Sequence, residues 1–164
     1  MFKGGLADHS EQTTKLHTAT HLLHQALRMT LGNHVSQKGS NITVERLRFD
    51  FSHPIKLTSE EIKTIETVVN EQVKRNLPVS FVMMSKDDAI ISGALAFFGE
   101  RYADMVKVYT VGDPKGTWFS REICGGPHVS FTGSLGRFRI IKEESAGAGI
   151  RRIYATVGTI HETA

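Results

Sequence analysis

Two pairs of metal-ligating side chains stand out in the sequence, and they lie far apart along it. His17 and His21 are four positions apart, so both imidazoles project from one side of a helix, in which 3.6 residues make a turn. Cys124 and His128 form a second pair much later in the chain. One cysteine with three histidines suits Zn²⁺ in tetrahedral geometry. The spacing therefore predicts one zinc site that is assembled from two remote segments.

The first pair belongs to a segment in which apolar residues recur every three or four positions. A start signal formed by Asp8 and Glu11, and Gly32 at the other end, predict an amphipathic helix between them. Both histidines and His24 fall on one flank of its apolar stripe, at the boundary between core and cleft. His24 is either an extra ligand or a polar residue hydrogen-bonded at the edge of the core. The second interpretation is favoured because it needs no additional partner.

The second pair lies in a segment with the composition of a turn. Gly125 and Gly126 let the backbone bend tightly beside the thiol of Cys124. Pro127 keeps Gly126 away from helical geometry, so that the ring of His128 can be aimed at a metal. We expect this turn to lie on a loop near the face of the first helix.

The rest of the pattern predicts an α+β fold with two main helices packed on a mixed or antiparallel sheet. Thr58 and Glu61 form a capping box for the second helix, and the polar residues 37–41 predict a turn. Met83 and Met84 are interpreted as packing residues in preference to part of a cofactor site. The apolar run within 93–102 fits either a buried helix or a strand. Strands are expected at 44–51, 79–84, 106–111, 138–141 and 150–157, with a hairpin at 145–149.

Composition sets the class of protein. The 164 residues, 40% of them hydrophobic, fit one domain that can bury a core without disulfides. A single cysteine beside eight histidines favours metal or redox chemistry in the cytoplasm. No signal peptide and no apolar run of about 18 residues is present, which argues against a membrane protein. Residues 115–152 carry seven basic and three acidic side chains, a placement that fits RNA near the metal or simply a solvated surface.

Five motifs, in the same order along the chain, resemble the editing domain of alanyl-tRNA synthetase, of which freestanding relatives exist. The motifs occupy residues 17–21, 46–51, 93–102, 124–128 and 149–153. A related domain of threonyl-tRNA synthetases shares both metal-type motifs, but the third and fifth motifs are closer to the alanyl type. The resemblance extends over about residues 6–157 and implies a single editing domain of the threonyl/alanyl-tRNA synthetase type over residues 1–164.

The resemblance implies an aminoacyl-tRNA deacylase, which is an ester hydrolase. Its substrates would be Ser-tRNA(Ala) and also Gly-tRNA(Ala), hydrolysed in trans or in cis by zinc-assisted attack of water on the ester. One Zn²⁺ would be held by His17, His21, Cys124 and His128, and the aminoacyl 3′ end of tRNA(Ala) would be the partner. Nothing in the chain matches an aminoacylation core, so it should not charge tRNA itself.

Four further residues receive roles from the resemblance. Thr20 matches a position that discriminates the substrate side chain, where its hydroxyl could recognise that of serine. Gln37 matches a glutamine that lines the site. Arg151 and Arg152 are candidates for contact with the tRNA backbone, although an interpretation as charges on a strand surface explains them nearly as well.

Two features depart from the family: Pro127 replaces a threonine, and the loop of residues 113–118 is longer than usual.

Two alternative functions stay open at this stage. Four protein ligands fill a tetrahedral zinc ion, and closed sites are usually structural. Either one ligand is loose, or the coordination expands during the reaction, or the chain is a non-catalytic structural-zinc module that binds RNA. The second alternative is threonyl-type editing of Ser-tRNA(Thr). The abrupt start at residues 1–5 suits a piece of a synthetase, so the remainder of a synthetase chain is a further expected partner.

Overall fold

The computed structural model describes residues 6–96 and 102–158, and these form three α-helices and two antiparallel sheets. The predicted α+β class is therefore confirmed, with two sheets in place of one. The helices are α1 (Glu11–Leu31), α2 (Ser59–Lys74) and α3 (Lys86–Ile91). The strands are β1 (Gln37–Ile42), β2 (Leu47–Ser52), β3 (Val79–Ser85), β4 (Met105–Gly112), β5 (Trp118–Ile123), β6 (Arg137–Gly147) and β7 (Ile150–Gly158).

The larger sheet has the strand order β1-β2-β7-β6, and its inner face packs against α1 and α2. Alternate residues of β2, Leu47, Phe49 and Phe51, are fully buried, as the period of two predicts. Phe49 stands opposite Ile153 of β7, which is also fully buried. Burial of these large apolar side chains supplies the main driving force for folding, because it removes them from water.

Helix α1 forms the centre of this core. Its apolar positions Leu16, Ala19, Leu23, Ala26 and Leu27 are completely buried, as predicted. The N-cap lies two residues after the expected Asp8: it is Ser10, whose Oγ accepts from the Thr13 amide at 3.3 Å. Asp8 instead accepts from the Ser10 amide and the Thr13 hydroxyl. Gly32 ends the helix as predicted, with φ 128°.

Helix α2 follows its sequence signals closely. The capping box is present, because the Thr58 hydroxyl accepts from the Glu61 amide and the Glu61 carboxylate accepts from the Thr58 amide. Ile65 and Val69 are fully buried against α1 and the sheet. The helix thus covers the inner face of the sheet beside α1.

The second sheet has the order β3-β4-β5, and β5 lies against α1. Strand β5 was not predicted, since its sequence mixes charged and apolar residues without regular alternation. Met84 packs against a small second cluster around Val106 and Val108. Met83 is 49% exposed, so the predicted packing role does not extend to it: alternation along β3 turns its side chain to the other face.

Two further expectations differ from the structure. Residues 37–41 belong to β1 and not to a turn, because they pair with β2. The pairing contains a register shift between Gln37 and Gly39. Part of the undecided segment 93–102, residues 97–101, lies outside the described residues, while Leu95 forms a parallel bridge with Glu122. The predicted hairpin is present between β6 and β7. No helix in the described ranges is long and apolar enough to cross a membrane.

Candidate metal centre

The two remote segments meet between α1 and the loop that follows β5. His17, His21, Cys124 and His128 each offer one ligand atom, and all four atoms lie within 4.8 Å of one another. His17 and Cys124 are 1% exposed and His21 is 7% exposed, whereas His128 is half-buried. The arrangement is a possible metal site of three nitrogens and one sulfur, as the spacing predicts.

The hydrogen bonds of His17 and His128 fix which ring nitrogen faces the centre. Nδ1 of His17 lies 2.9 Å from the carbonyl oxygen of Pro127, to which it can only donate. Nδ1 of His128 lies 2.9 Å from the hydroxyl of Thr18. This leaves Nε2 of each ring for the centre, and Nε2 of His128 is buried with no partner among the described residues. Such outer bonds orient metal-ligating histidines.

Glu122 performs the same role for the third imidazole. Its carboxylate is buried at the end of β5, with Oε1 3.4 Å from Nδ1 of His21 and 3.2 Å from Nδ1 of His24. His24 therefore lies outside the group of four and is a polar residue at the edge of the core, as favoured above. Sequence reasoning missed Glu122. The available signal was its position two residues before Cys124, which places both side chains on one face of a strand.

Charge within the centre favours the metal-binding forms of Cys124 and His128, whereas His21 is held protonated and must lose a proton to bind a metal. Burial disfavours the charged form of Cys124, but the neighbouring His21 and His17 outweigh it and lower the pKa of the thiol to about 6. Burial also opposes protonation of His21, yet Glu122 and then Cys124 raise its pKa to about 10. Burial, with His17 and His21 nearby, lowers the pKa of His128 well below its ordinary value. The site thus combines a thiolate with a neutral imidazole, both of which are metal ligands.

The turn that carries Cys124 and His128 requires glycine at one position. Gly126 has φ 72°, and a Cβ there would overlap the hydroxyl of Tyr109. Its amide donates to the Sγ of Cys124 at 3.4 Å, which further stabilises a thiolate. The Tyr109 ring packs edge-on against His128, with centroids 4.3 Å apart. Strand β4 therefore fixes the position of the turn from one side.

The other predicted site residues occupy different positions. Thr20 lies on α1 between the two histidines of that helix, 4% exposed, and its hydroxyl donates to the Leu16 carbonyl at 2.9 Å. Gln37 is 8% exposed at the start of β1, and its Nε2 is buried without a hydrogen-bond partner in the described part of the chain.

Arg151 and Arg152 lie on β7 of the larger sheet and are not among the group of four, and both are paired with carboxylates. Arg151 donates twice to Glu143, at 2.7 and 2.9 Å. Arg152 donates twice to Asp50, at 2.8 and 3.0 Å. These pairs use two of the five donors of each guanidinium.

Comparison with known proteins agrees with this geometry. The family model described as "Threonyl and Alanyl tRNA synthetase second additional domain" matches residues 106–154, which include Cys124 and His128. The alanine–tRNA ligase of Treponema denticola is 62% identical over 157 residues, covering 96% of this chain and 25% of that protein. That of Treponema pallidum is 62% identical over 155 residues, covering 94% and 25%.

A relative of lower identity is also an alanine–tRNA ligase. The alanine–tRNA ligase of Nitrosomonas europaea is 52% identical over 142 residues, covering 87% of this chain and 16% of that protein. The chain thus spans a quarter or less of the length of these relatives. The chain matches the threonyl and alanyl tRNA synthetase second additional domain over residues 106–154 and is similar, over nearly its whole length, to one segment of alanine–tRNA ligases, which confirms the resemblance drawn from its motifs.

Proposed function

We propose that this chain is an aminoacyl-tRNA deacylase that hydrolyses Ser-tRNA(Ala), and also Gly-tRNA(Ala), at a centre holding one Zn²⁺. The observation that supports this most strongly is the convergence of His17, His21, Cys124 and His128 in a chain similar to a segment of alanine–tRNA ligases. Each imidazole has its Nδ1 engaged by an outer group, so the centre is preorganised for a metal ion.

The donor set fits zinc. Three imidazole nitrogens and one thiolate within 4.8 Å of one another match the ligand types and number that Zn²⁺ takes in proteins. When bound, Zn²⁺ supplies a Lewis acid for the ester carbonyl and lowers the pKa of water toward about 7. The protein itself holds the ligands: Glu122 keeps a proton on Nδ1 of His21, and the Pro127 carbonyl does the same for His17.

Thr20 and Gln37 are proposed to recognise the aminoacyl group. The Thr20 hydroxyl already donates to Leu16, so toward a substrate it acts as an acceptor and can bond the hydroxyl of serine. The buried Nε2 of Gln37, which has no hydrogen-bond partner among the described residues, is a donor for a carbonyl oxygen. A site that loses such a bond with the wrong substrate discriminates strongly, because a buried polar group is then left unpaired.

The proposal includes tRNA and a synthetase as partners. The aminoacyl 3′ end of tRNA(Ala) would approach the centre, and Arg151 and Arg152 would contact the tRNA backbone through the donors that their carboxylate partners leave free. The remainder of a synthetase chain is a further proposed partner. We place this single editing domain in the cytoplasm, where charged tRNA is used.

One observation favours a second candidate function. Four protein ligands are present, and a closed tetrahedral site is typical of structural zinc. The chain would then be a folded RNA-binding module without hydrolytic activity. Threonyl-type editing of Ser-tRNA(Thr) is the other candidate, since the matching family model covers both synthetases.

The test measures deacylation of four substrates by the 164-residue chain: Ser-tRNA(Ala), Gly-tRNA(Ala), Ala-tRNA(Ala) and Ser-tRNA(Thr). We expect hydrolysis of the first two and little of the others. His21→Ala should abolish hydrolysis, whereas Lys63→Ala, on the solvent-exposed side of α2, should leave it unchanged. A folded zinc protein that hydrolyses none of them supports the structural module, and hydrolysis of Ser-tRNA(Thr) alone supports threonyl-type editing.

A further inference from the structure

A cleft beside the candidate metal centre carries side chains that the centre does not use. We call it the Trp118 cleft; its volume is about 220 Å³. It lies between the C-terminal half of α1, the residues after α3 and the start of β5. Its polar and aromatic wall consists of Gln25, Arg28, Asn33, Trp118 and Arg121.

The cleft is close to the candidate metal centre along two elements. Arg28 is seven residues beyond His21 on α1, which corresponds to about 10 Å at 1.5 Å per residue. On β5, Arg121 directly precedes Glu122, which bonds His21 and His24. An extended strand of nucleic acid with its terminal ester at the centre would therefore reach the cleft with its last nucleotides.

Trp118 and Arg121 form a fixed flat surface in this cleft. The guanidinium carbon of Arg121 lies 4.5 Å from the centroid of the indole. Three hydrogen bonds hold the guanidinium in place, to the Thr110 hydroxyl at 3.0 Å, the Ser92 carbonyl at 3.0 Å and the Pro114 carbonyl at 2.9 Å. Aromatic rings and guanidinium planes are the surfaces on which proteins stack unpaired bases.

The remaining polar groups can recognise the edge of a base. Neither the Gln25 nor the Asn33 carboxamide has a hydrogen-bond partner among the residues that the structure describes, and each offers donors and an acceptor. Arg28 is held by bonds to the Asn33 and Val35 carbonyls, which leave some of its five donors free. The cleft is smaller than the roughly 300–1,000 Å³ of sites for drug-sized ligands, so it has room for about one base.

We infer that the Trp118 cleft binds one unpaired base of the single-stranded 3′ end of tRNA, next to the ester at the metal centre. This inference rests on the proposed function, because the ester and the base belong to one RNA strand. The indole and two carboxamides favour a base over a lone phosphate, for which the two arginines alone would be sufficient.

Trp118 is the only tryptophan of the chain, so its fluorescence reports on the cleft directly. The full chain is titrated with an RNA hairpin that ends in an unpaired ACCA strand, with the same hairpin carrying an abasic 3′ strand, and with inorganic phosphate. We expect saturable quenching by the ACCA hairpin and about tenfold weaker binding of the abasic one, because base stacking on an aromatic ring is lost. Equal binding of both hairpins, or competition by inorganic phosphate, would overturn the inference.

Variants then test whether the cleft itself binds the RNA, with anisotropy of a labelled ACCA hairpin as the measurement. Gln25→Ala and Trp118→Leu should weaken binding, the second by about tenfold. Gln12→Ala lies thirteen residues earlier on α1 and Phe131→Leu removes an aromatic ring, 51% exposed, outside the cleft; both should bind as the parent does. Unchanged affinity in Gln25→Ala and Trp118→Leu would contradict the inference.

The two proposals fail in different ways. Hydrolysis of Ser-tRNA(Ala) together with base-independent RNA binding would contradict base binding in the Trp118 cleft but support the deacylase. Base-dependent quenching without any hydrolysis would contradict the deacylase function, and the cleft would then be the base-binding site of an RNA-binding module.

Discussion

Each ligand of the candidate metal centre is held by a neighbour of a different kind. The Pro127 carbonyl, the Thr18 hydroxyl and the Glu122 carboxylate engage the Nδ1 atoms of the three histidines. The four candidate ligands could be chosen from the sequence, because few residue types bind zinc and their spacing is restricted. Among their partners only Glu122 had a sequence signal, since a backbone carbonyl such as that of Pro127 cannot be recognised from residue types.

Glu122 should control metal affinity through His21. Glu122→Gln keeps the shape of the side chain but weakens its hold on the Nδ1 proton of His21, so we expect zinc affinity to fall by about 10–100-fold with the fold retained. Competition with a chelating dye measures the affinity, and circular dichroism follows the fold. Glu144→Gln breaks a more exposed ion pair with Lys142 and is the control. Equal affinity in both variants would mean that Glu122 does not position the ligand.

In the metal-free protein, the thiol of Cys124 should lose its proton at a lower pH than an ordinary cysteine does. The pKa of Cys124 is lowered from 9.0 to about 6, so its thiolate contributes stability that is lost as the pH falls through about 6. The contribution of His21 to stability depends on pH in the opposite direction. Its pKa is raised from 6.5 to about 10, so this stabilisation is lost as the pH rises through about 10. Ultraviolet thiolate absorbance should therefore show a midpoint near pH 6 that Cys124→Ser abolishes and His21→Ala moves upward. A midpoint near 9 in the parent protein would contradict this.

Among the elements, the helices and the turn at Cys124 were predicted more reliably than the strands. Periodicity over 21 residues specifies α1, and the capping box marks the start of α2. Strand β1 has the composition of a turn around Gly39 but is held by pairing with β2, and β5 shows no alternation. Pairing with distant partners decides both strands, and local sequence does not record it.

The turn that presents Cys124 and His128 provides a test at this scale. Gly126 and Gly149 share φ 72°, but a Cβ at Gly126 would overlap the Tyr109 hydroxyl, whereas at Gly149 it would meet nothing within 4 Å. Gly149→Ala should cost about 1–2 kcal/mol of unfolding free energy from the backbone alone. Gly126→Ala should cost about 1–3 kcal/mol more and weaken zinc binding, because the overlap must displace the turn. Urea unfolding measures the first effect and dye competition the second; equal costs at the two positions would contradict the structure.

At the scale of the whole molecule, the candidate metal centre joins the two sheets. His17 and His21 lie on α1, which packs against the larger sheet, and Cys124 follows β5 of the second sheet. The arrangement explains why the ligand pairs are so distant in sequence: each belongs to a different layer. The α+β class followed from the order of the elements, but the division into two sheets did not, because strand pairing is non-local.

Zinc should therefore stabilise the entire fold. A ligand that binds only the folded chain adds about 2.7 kcal/mol at 100 times its Kd, so the urea midpoint should rise with free zinc and fall on chelation. His21→Ala removes one ligand and should make the midpoint much less sensitive to zinc. A midpoint of the parent protein that does not respond to zinc would contradict a site that links the layers.

The most direct test follows hydrolysis and bound metal together. The 164-residue chain is stripped of metal, zinc is returned in steps, and hydrolysis of Ser-tRNA(Ala) is measured beside the zinc content by elemental analysis. We predict no hydrolysis without metal and a rate that rises in proportion to bound zinc up to one ion per chain. Full hydrolysis by the metal-free protein, or none by a folded chain holding one zinc ion, would contradict the account.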